Sequence, residues 1–258
     1  MIRWLFYKSP NTSLSVGGLF KRFFVLFVLF VLVYQLWIFL HICWWIKFNP
    51  SSSAFMEDRL EVIQNTNPDA ELKYQWVDYS KISNNLKRAV IASEDSKFVD
   101  HEGFDWVGIE KAYEKNLKKG KIVAGGSTIS QQLAKNLFLS SKRTPWRKGE
   151  EVIITLMLEN MLTKQRILEI YLNVIEWGNG VFGAEAAARH YYKTSAANLS
   201  NVQAARLAAM IPNPRFYDVH KSTSYLNRRT ATILARMRMS ELPKTPTVQN
   251  KSRVKKIE

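Results

Sequence analysis

A single cysteine, Cys43, stands in 258 residues, so no disulfide can form within the chain and a disulfide-stapled scaffold is excluded. The four histidines, His41, His101, His190 and His220, are far apart and lack a second cysteine to complete a zinc-ligand spacing. Also missing is a strand followed by G-x-G-x-x-G and a helix, the fingerprint of dinucleotide-binding folds. No period of 20–50 residues recurs, which argues against a repeat solenoid. Acidic side chains are few: 22 Asp+Glu face 37 Lys+Arg, a formal net charge of +15. Such an excess calls for an anionic partner, whether nucleic acid, a membrane surface or a phosphorylated substrate. What is plentiful is apolar matter, 47% of the chain with 14 Phe, 10 Tyr and 8 Trp, enough for a packed core and too much for wholesale disorder. The length allows one or two domains.

The first 46 residues carry Arg3, Lys8, Lys21 and Arg22 and no acid at all. Within them, Phe23 to Ile46 reads FFVLFVLFVLVYQLWIFLHICWWI, 24 residues without a formal charge. About 20 suffice to cross a hydrocarbon core of ~30 Å as a helix. Residues 23–46 are therefore expected to be a transmembrane helix, with Trp44 and Trp45 at its far interface. The four basic residues before the helix outnumber Lys47 and Arg59 in the twenty residues after it. The positive-inside bias then places residues 1–22 in the cytoplasm and the rest of the chain outside. A cleaved signal peptide is disfavoured, because its apolar region runs about 7–15 residues and ends in small side chains. Gln35 and His41 read as tolerated polar groups or packing contacts within the helix, and Cys43 as a small apolar residue at the bilayer edge.

Beyond the helix, residues 47–59 with the run NPSSS read as a linker, 60–240 as one mainly α domain, and 241–258 as a basic tail without structure. Lys73 to Val77 (KYQWV) alternates as a strand would. Leu86, Ala89, Val90 and Ser93 share one helical face and deliver Glu94 at the helix's C-terminal end. Gly125 and Gly126 break the chain before a helix starting near Thr128, where Thr128 and Gln131 have capping-box spacing. Further helices are expected over Glu150–Leu162, Gln165–Val174 and the small-residue run AEAAARHYY. Ser200 and Gln203 repeat the capping-box spacing before NVQAARLAAMI, which Pro212 and Pro214 should terminate.

Two stretches carry polar chemistry. In SEDSKFVDHEGFDW, Glu94 and Asp95 follow an apolar helix face, a setting in which desolvation tunes a carboxyl for proton transfer, although a solvated helix end has the same spelling. The second stretch runs from Gly125, Gly126, Ser127 and Thr128 through Gln131, Gln132, Lys135 and Asn136 to Lys142, Arg143, Arg147 and Lys148. Backbone donors at a helix N-terminus, with amides and cations along one face, suit an anionic or sugar-bearing ligand. A merely amphipathic helix would account for Ser130 and Lys135 as residues turned to water, and less well for paired glutamines beside paired glycines.

In order along the chain, these blocks resemble the peptidoglycan glycosyltransferase family. Glu94-Asp95-x-x-Phe98-x-x-His101-x-Gly103 is similar to its first motif, GGSTISQQLAKNLFL from Gly125 to its second, and RKGEEVIITLMLE from Arg147 to its third. ILEIYLNVIEWGNGVFGAEAAARHYY from Ile167 to Tyr192 is similar to the remainder, and the likeness covers roughly residues 70–220. The resemblance implies a lysozyme-like α-rich domain that polymerises lipid II. It also implies that Glu94 is the general base, that Glu151 lies at the departing diphosphate, and that Lys135, Arg143 and Lys148 offset its charge. Gln131, Gln132 and Asn136, with Ser127 and Thr128 at the helix start, would bind sugar or phosphate, and Asp95, Phe98 and His101 would orient the first motif. No cofactor is required by this reading, although a divalent cation on the diphosphate is compatible with the family.

A companion transpeptidase would need S-x-x-K and K-T-G motifs on a further domain. The only S-x-x-K here is Ser252 to Lys255 in the tail, and K-T-G is absent, so the stand-alone form is expected. Partners implied are lipid II, the nascent glycan strand, membrane lipids and other cell-wall synthases, with nucleic acid the least favoured; the stand-alone form points to a bacterial inner membrane. The stretch from Phe104 to Val123, with Trp106, Val107, Ile109, Tyr113 and Leu117 among lysines, is expected to dip into the outer leaflet or to cover the core. Rival readings are a membrane-anchored lytic enzyme that cuts glycan strands and a non-catalytic scaffold.

Overall fold

The computed structural model describes residues 16–121, 125–139 and 145–244. The chain forms two units, residues 1–41 and 42–258. Helix α1 (Val16–Trp44) begins before Phe23 and ends two residues short of Ile46, so it holds most of the apolar run, and Leu19–Trp44 is long and apolar enough to span a bilayer. Its Phe20, Phe23, Leu26 and Phe30 are exposed, as lipid-facing side chains would be. Trp44 is exposed as well, whereas Trp45 is buried, its ring centre 5.1 Å from that of Phe138.

In the second unit Ser53 caps α2 (Ala54–Gln64) by accepting a hydrogen bond from Met56 N at 3.2 Å. The expected strand shrinks to β1 (Lys73–Tyr74), because Val77 is bound instead by the buried side chain of Asn173 through both its N–H and its carbonyl, each at 2.9 Å. β1 runs parallel to β3 (Val181–Phe182), and β2 (Glu176–Gly178) pairs antiparallel with β3. At the end of this small sheet Gly183 takes φ +82°, and a Cβ there would lie 2.8 Å from Asn173 O, so only glycine fits.

Helix α3 (Asn84–Glu94) starts at the Ser83 cap and buries Leu86, Ala89 and Val90 completely, which sets Glu94 on its last turn. Helix α4 (Trp106–Lys119) begins at Asp105 and stops at Gly120 in the left-handed region. Helix α5 (Ile129–Phe138) follows Thr128 with the full reciprocal capping box. Helix α6 (Pro145–Met161) starts five residues before the expected Glu150, since Gly149 weakens the apolar pattern without breaking the helix. Then come α7 (Lys164–Val174), α8 (Ala184–Tyr192) and α9 (Asn201–Met210), the last with the second capping box. Pro214 does not merely end α9: it opens α10 (Pro214–Val219), where its missing N–H costs nothing. α11 (Ser224–Arg236) completes the set.

Two groups of helices make the core. α3, α9 and α11 pack together, and α5 packs against α6 and α7. Residues 245–258, most of the expected tail, lie outside the described residues.

Candidate active site

Glu94 meets the second motif at the seam between these groups. Its Oε1 accepts hydrogen bonds from Ser93 Oγ (2.8 Å) and Arg229 Nη2 (3.3 Å), and its Oε2 accepts one from Gln132 Nε2 (3.1 Å). Arg229 stands on α11, 135 residues away in the chain. The carboxylate lines a polar cavity of about 260 Å³ together with Asp95, Asp105, Gly126, Ser127 and Thr128.

Asp95 is buried, and its carboxylate is bonded within the protein. Its carboxylate accepts the backbone N–H of Ile129 at 3.0 Å, and His101 Nε2 lies 2.9 and 3.0 Å from its two oxygens. Because Gly103 N–H donates to His101 Nδ1 at 3.1 Å, Nε2 is the nitrogen that donates to Asp95. Phe98 is fully buried with its ring edge-on to His101 at 6.4 Å. Gly103 takes φ +92°, and a Cβ would come within 2.9 Å of Thr155 Cγ2 and 3.1 Å of Glu159 Cγ on α6.

Thr128 Oγ1 donates to Gly103 O at 2.7 Å, and Thr128 N–H donates to Gln131 Oε1 at 3.1 Å. Gln131 thus completes the cap of α5 while lining a second, apolar cavity of about 610 Å³ with His101, Phe104, Trp106, Lys148 and Val152. Residues bonded to one another therefore line opposite cavities: Thr128 and Gln131, Asp95 and His101. The two cavities share a wall built from the first and second motifs.

Glu151 is buried on α6 and paired with Lys148, a residue that also lines the apolar cavity. Burial pushes the neighbouring Glu150 carboxyl up from its ordinary value. Lys135 Nζ lies 5.8 Å from the centre of the Phe55 ring, and Asn136 Nδ2 donates back to Gln132 O at 2.7 Å. Arg143, with Lys142, lies outside the described residues. Ser130 is not turned to water, as the amphipathic pattern suggested: it is fully buried and bonded to Glu159, which also holds Lys164 at 2.8 Å. Of the stretch expected either to dip into the outer leaflet or to cover the core, Phe104 is buried and stacks on Trp106 at 5.4 Å, whereas Trp106, Val107, Tyr113 and Leu117 are exposed.

Ser93, Arg229 and Tyr171 escaped sequence reasoning. Tyr171 OH donates to Gln132 Oε1 at 2.9 Å. The YLN run marks Tyr171 as core by periodicity, and only the fold reveals what its hydroxyl meets.

A helical domain with a buried carboxylate network beside a polar and an apolar cavity agrees with the comparisons. The profile of the transglycosylase family matches residues 59–238, and the chain belongs to that family. It is an enzyme of glycosyl transfer. It is similar to the biosynthetic peptidoglycan transglycosylase of Methylobacillus flagellatus, 69% identical over 228 residues that cover 88% of this chain and 100% of the relative. Proteins of the same description from Herminiimonas arsenicoxydans and Laribacter hongkongensis are 66% and 64% identical, covering 84% and 82% of this chain and 94% and 93% of their own lengths.

Proposed function

We propose that the protein polymerises peptidoglycan glycan strands from lipid II, without transpeptidase activity. The donor is the growing glycan on undecaprenyl diphosphate, and the acceptor is a sugar 4-hydroxyl of lipid II. The observation that carries this reading is Glu94, a carboxylate held by three donors at the edge of a polar cavity. As the hydroxyl oxygen bonds to the anomeric carbon, the bond from that carbon to the diphosphate breaks with inversion, and the hydroxyl proton passes to Glu94. A positioned base of this kind contributes about 10²–10⁴-fold.

Glu151 beside a diphosphate would be repelled, and its pairing with Lys148 removes most of that difficulty. Lys135 and Arg143 add positive charge for the leaving group, while Ser127, Thr128, Gln131 and Asn136 serve sugar and phosphate. No resident cofactor is needed. Among the described residues no three His, Cys, Asp or Glu side chains come together to hold a metal. A divalent cation carried on the substrate's diphosphate is compatible with this reading.

The substrate's lipid tail keeps the reaction at a membrane, each buried CH₂ being worth ~0.8 kcal/mol. This suits a single-pass anchor in the bacterial inner membrane, with the N-terminus cytoplasmic and the catalytic domain periplasmic. Exposed Trp106, Val107, Tyr113 and Leu117 among the α4 lysines suit contact with membrane lipids. Other cell-wall synthases are the natural protein partners, and the basic charge is matched by diphosphate and headgroups without nucleic acid.

Purified protein incubated with labelled lipid II should yield long muramidase-sensitive polymer, and Glu94→Gln should lower that yield at least about 100-fold. Shortening of preformed strands would assign a lytic enzyme instead, and no change in either substrate a scaffold.

A further inference from the structure

The three donors on Glu94 are not equivalent. Ser93 and Arg229 both hold Oε1, whereas the described hydrogen bond to Oε2 comes from Gln132. A carboxylate gripped at one oxygen can swing about its last bond, and one gripped at both has its plane fixed. The direction in which Glu94 presents its oxygens therefore depends on Gln132.

Gln132 carries an amide whose two ends have nearly the same shape and opposite hydrogen-bonding character. In one orientation the NH₂ group faces Glu94. In the flipped one the amide oxygen would face a carboxylate oxygen, with no proton between them. Tyr171 separates the two. Its side chain is fully buried on α7, and its hydroxyl donates to Gln132 Oε1 at 2.9 Å. Burial, and after it the charges of Glu94 and Asp95, raise the phenol well above its ordinary value, so it keeps the proton that makes it a donor. A donating phenol attracts the amide oxygen and so turns the NH₂ group toward Glu94. Both ends of the relay sit on rigid parts: α5 is locked by its capping box, and α7 packs against α5.

We infer that Tyr171 is a positioning residue which, through the Gln132 amide, fixes the orientation of Glu94 toward the reacting hydroxyl. Gln132 thereby acts mainly on the base, with one amide hydrogen left over for substrate. This rests on the proposed role of Glu94 in polymerisation.

The test is steady-state polymerisation of lipid II by the full-length protein and by Tyr171→Phe, Gln132→Met and the double variant. Phenylalanine fills the space of the tyrosine ring, so the melting temperature should stay within a few degrees of wild type. Each single variant should lower kcat about tenfold, the loss of one oriented hydrogen bond, with KM within about twofold. The double variant should match either single one, because the two residues act through one relay. Unchanged kcat in Tyr171→Phe, a change in KM alone, or losses that multiply in the double variant would each overturn the inference. If Tyr171→Phe fails to fold, Gln132→Met at its half-buried position decides the matter by the same kcat and KM criteria. Wild-type protein that makes no polymer would overturn the proposed function and this inference with it. Wild-type polymerisation with full kcat in the variants would overturn the positioning role alone.

Discussion

Asp95 accepts the first backbone N–H of α5, that of Ile129, at 3.0 Å, across 34 residues of chain. The residue next to the proposed base thus serves as an anchor for the helix that carries the second motif. The anionic form also suits the positive end of the helix dipole. Replacing Asp95 with Asn keeps the shape and removes the charge that holds both Ile129 and His101. The expected result is a loss of about 2 kcal/mol in urea unfolding together with a fall in polymer formation. Unchanged stability would show that the anchor is dispensable.

Gly103 holds a left-handed conformation at φ +92°, and a Cβ would approach Thr155 Cγ2 to 2.9 Å. Gly103→Ala should destabilise the fold by about 1–3 kcal/mol, since backbone strain and contact act in the same direction. Because Gly103 O also receives the Thr128 hydroxyl, the shift should reach the cap of α5. Chemical denaturation measures the first effect, and activity under conditions where the variant is folded measures the second.

A second polar cluster lies on α8 and α10, where Asp218 takes hydrogen bonds from His190 Nε2 (3.0 Å), Tyr191 OH (3.0 Å) and Asn179 N (3.0 Å). Desolvation raises its carboxyl, but the bonds from His190, Asn179 and Tyr191 together outweigh it and hold the group below its ordinary value of 3.8. A carboxyl depressed in the folded state stabilises the fold above its unfolded value, and that contribution is lost as pH falls through the folded value. Asp218→Asn should therefore be less stable than wild type at pH 7, and the gap should close below pH 3.8. Urea midpoints at both ends of that range would decide it, and a gap independent of pH would exclude the linkage.

Trp106 and Leu117 on α4 are 71% and 64% exposed, which is costly in water and favourable in lipid. A fragment from residue 47 carrying Trp106→Ser and Leu117→Ser should bind anionic liposomes at least about tenfold more weakly than the unchanged fragment. Sedimentation with vesicles reads this directly. Equal binding would mean that the exposed face of α4 does not enter the bilayer.

Much of this arrangement was legible in the chain. The apolar spacing of Leu86, Ala89 and Val90 placed Glu94 on the last turn of α3, and the Thr128/Gln131 and Ser200/Gln203 spacings marked the starts of α5 and α9. These are local signals, set by periodicity and by the orphan N–H groups of a helix start. Arg229 gave no such signal, because its partner lies 135 residues away and its neighbourhood reads as an ordinary basic helix face. Ser130 misled for a related reason. A serine on an otherwise amphipathic helix looks solvated until Glu159, 29 residues on, is seen to bury it. β2 and β3 are too short for alternation to show, and Gly178, Gly180 and Gly183 in and around them carry no strand signal.

Arg166 ties down the chain just after the apolar helix: Nε donates to Trp45 O at 2.9 Å, and Nη2 donates to Phe48 O at 2.6 Å and to Asn49 Oδ1 at 2.8 Å. The guanidinium and those acceptors are 117–121 residues apart in sequence, which has a consequence for biosynthesis. At about 5–20 residues per second, a ribosome that has released Trp45 needs on the order of ten seconds to supply Arg166. The stretch from Trp45 to Asn49 is thus fastened only once the start of α7 has been made, with α8 to α11 still to follow.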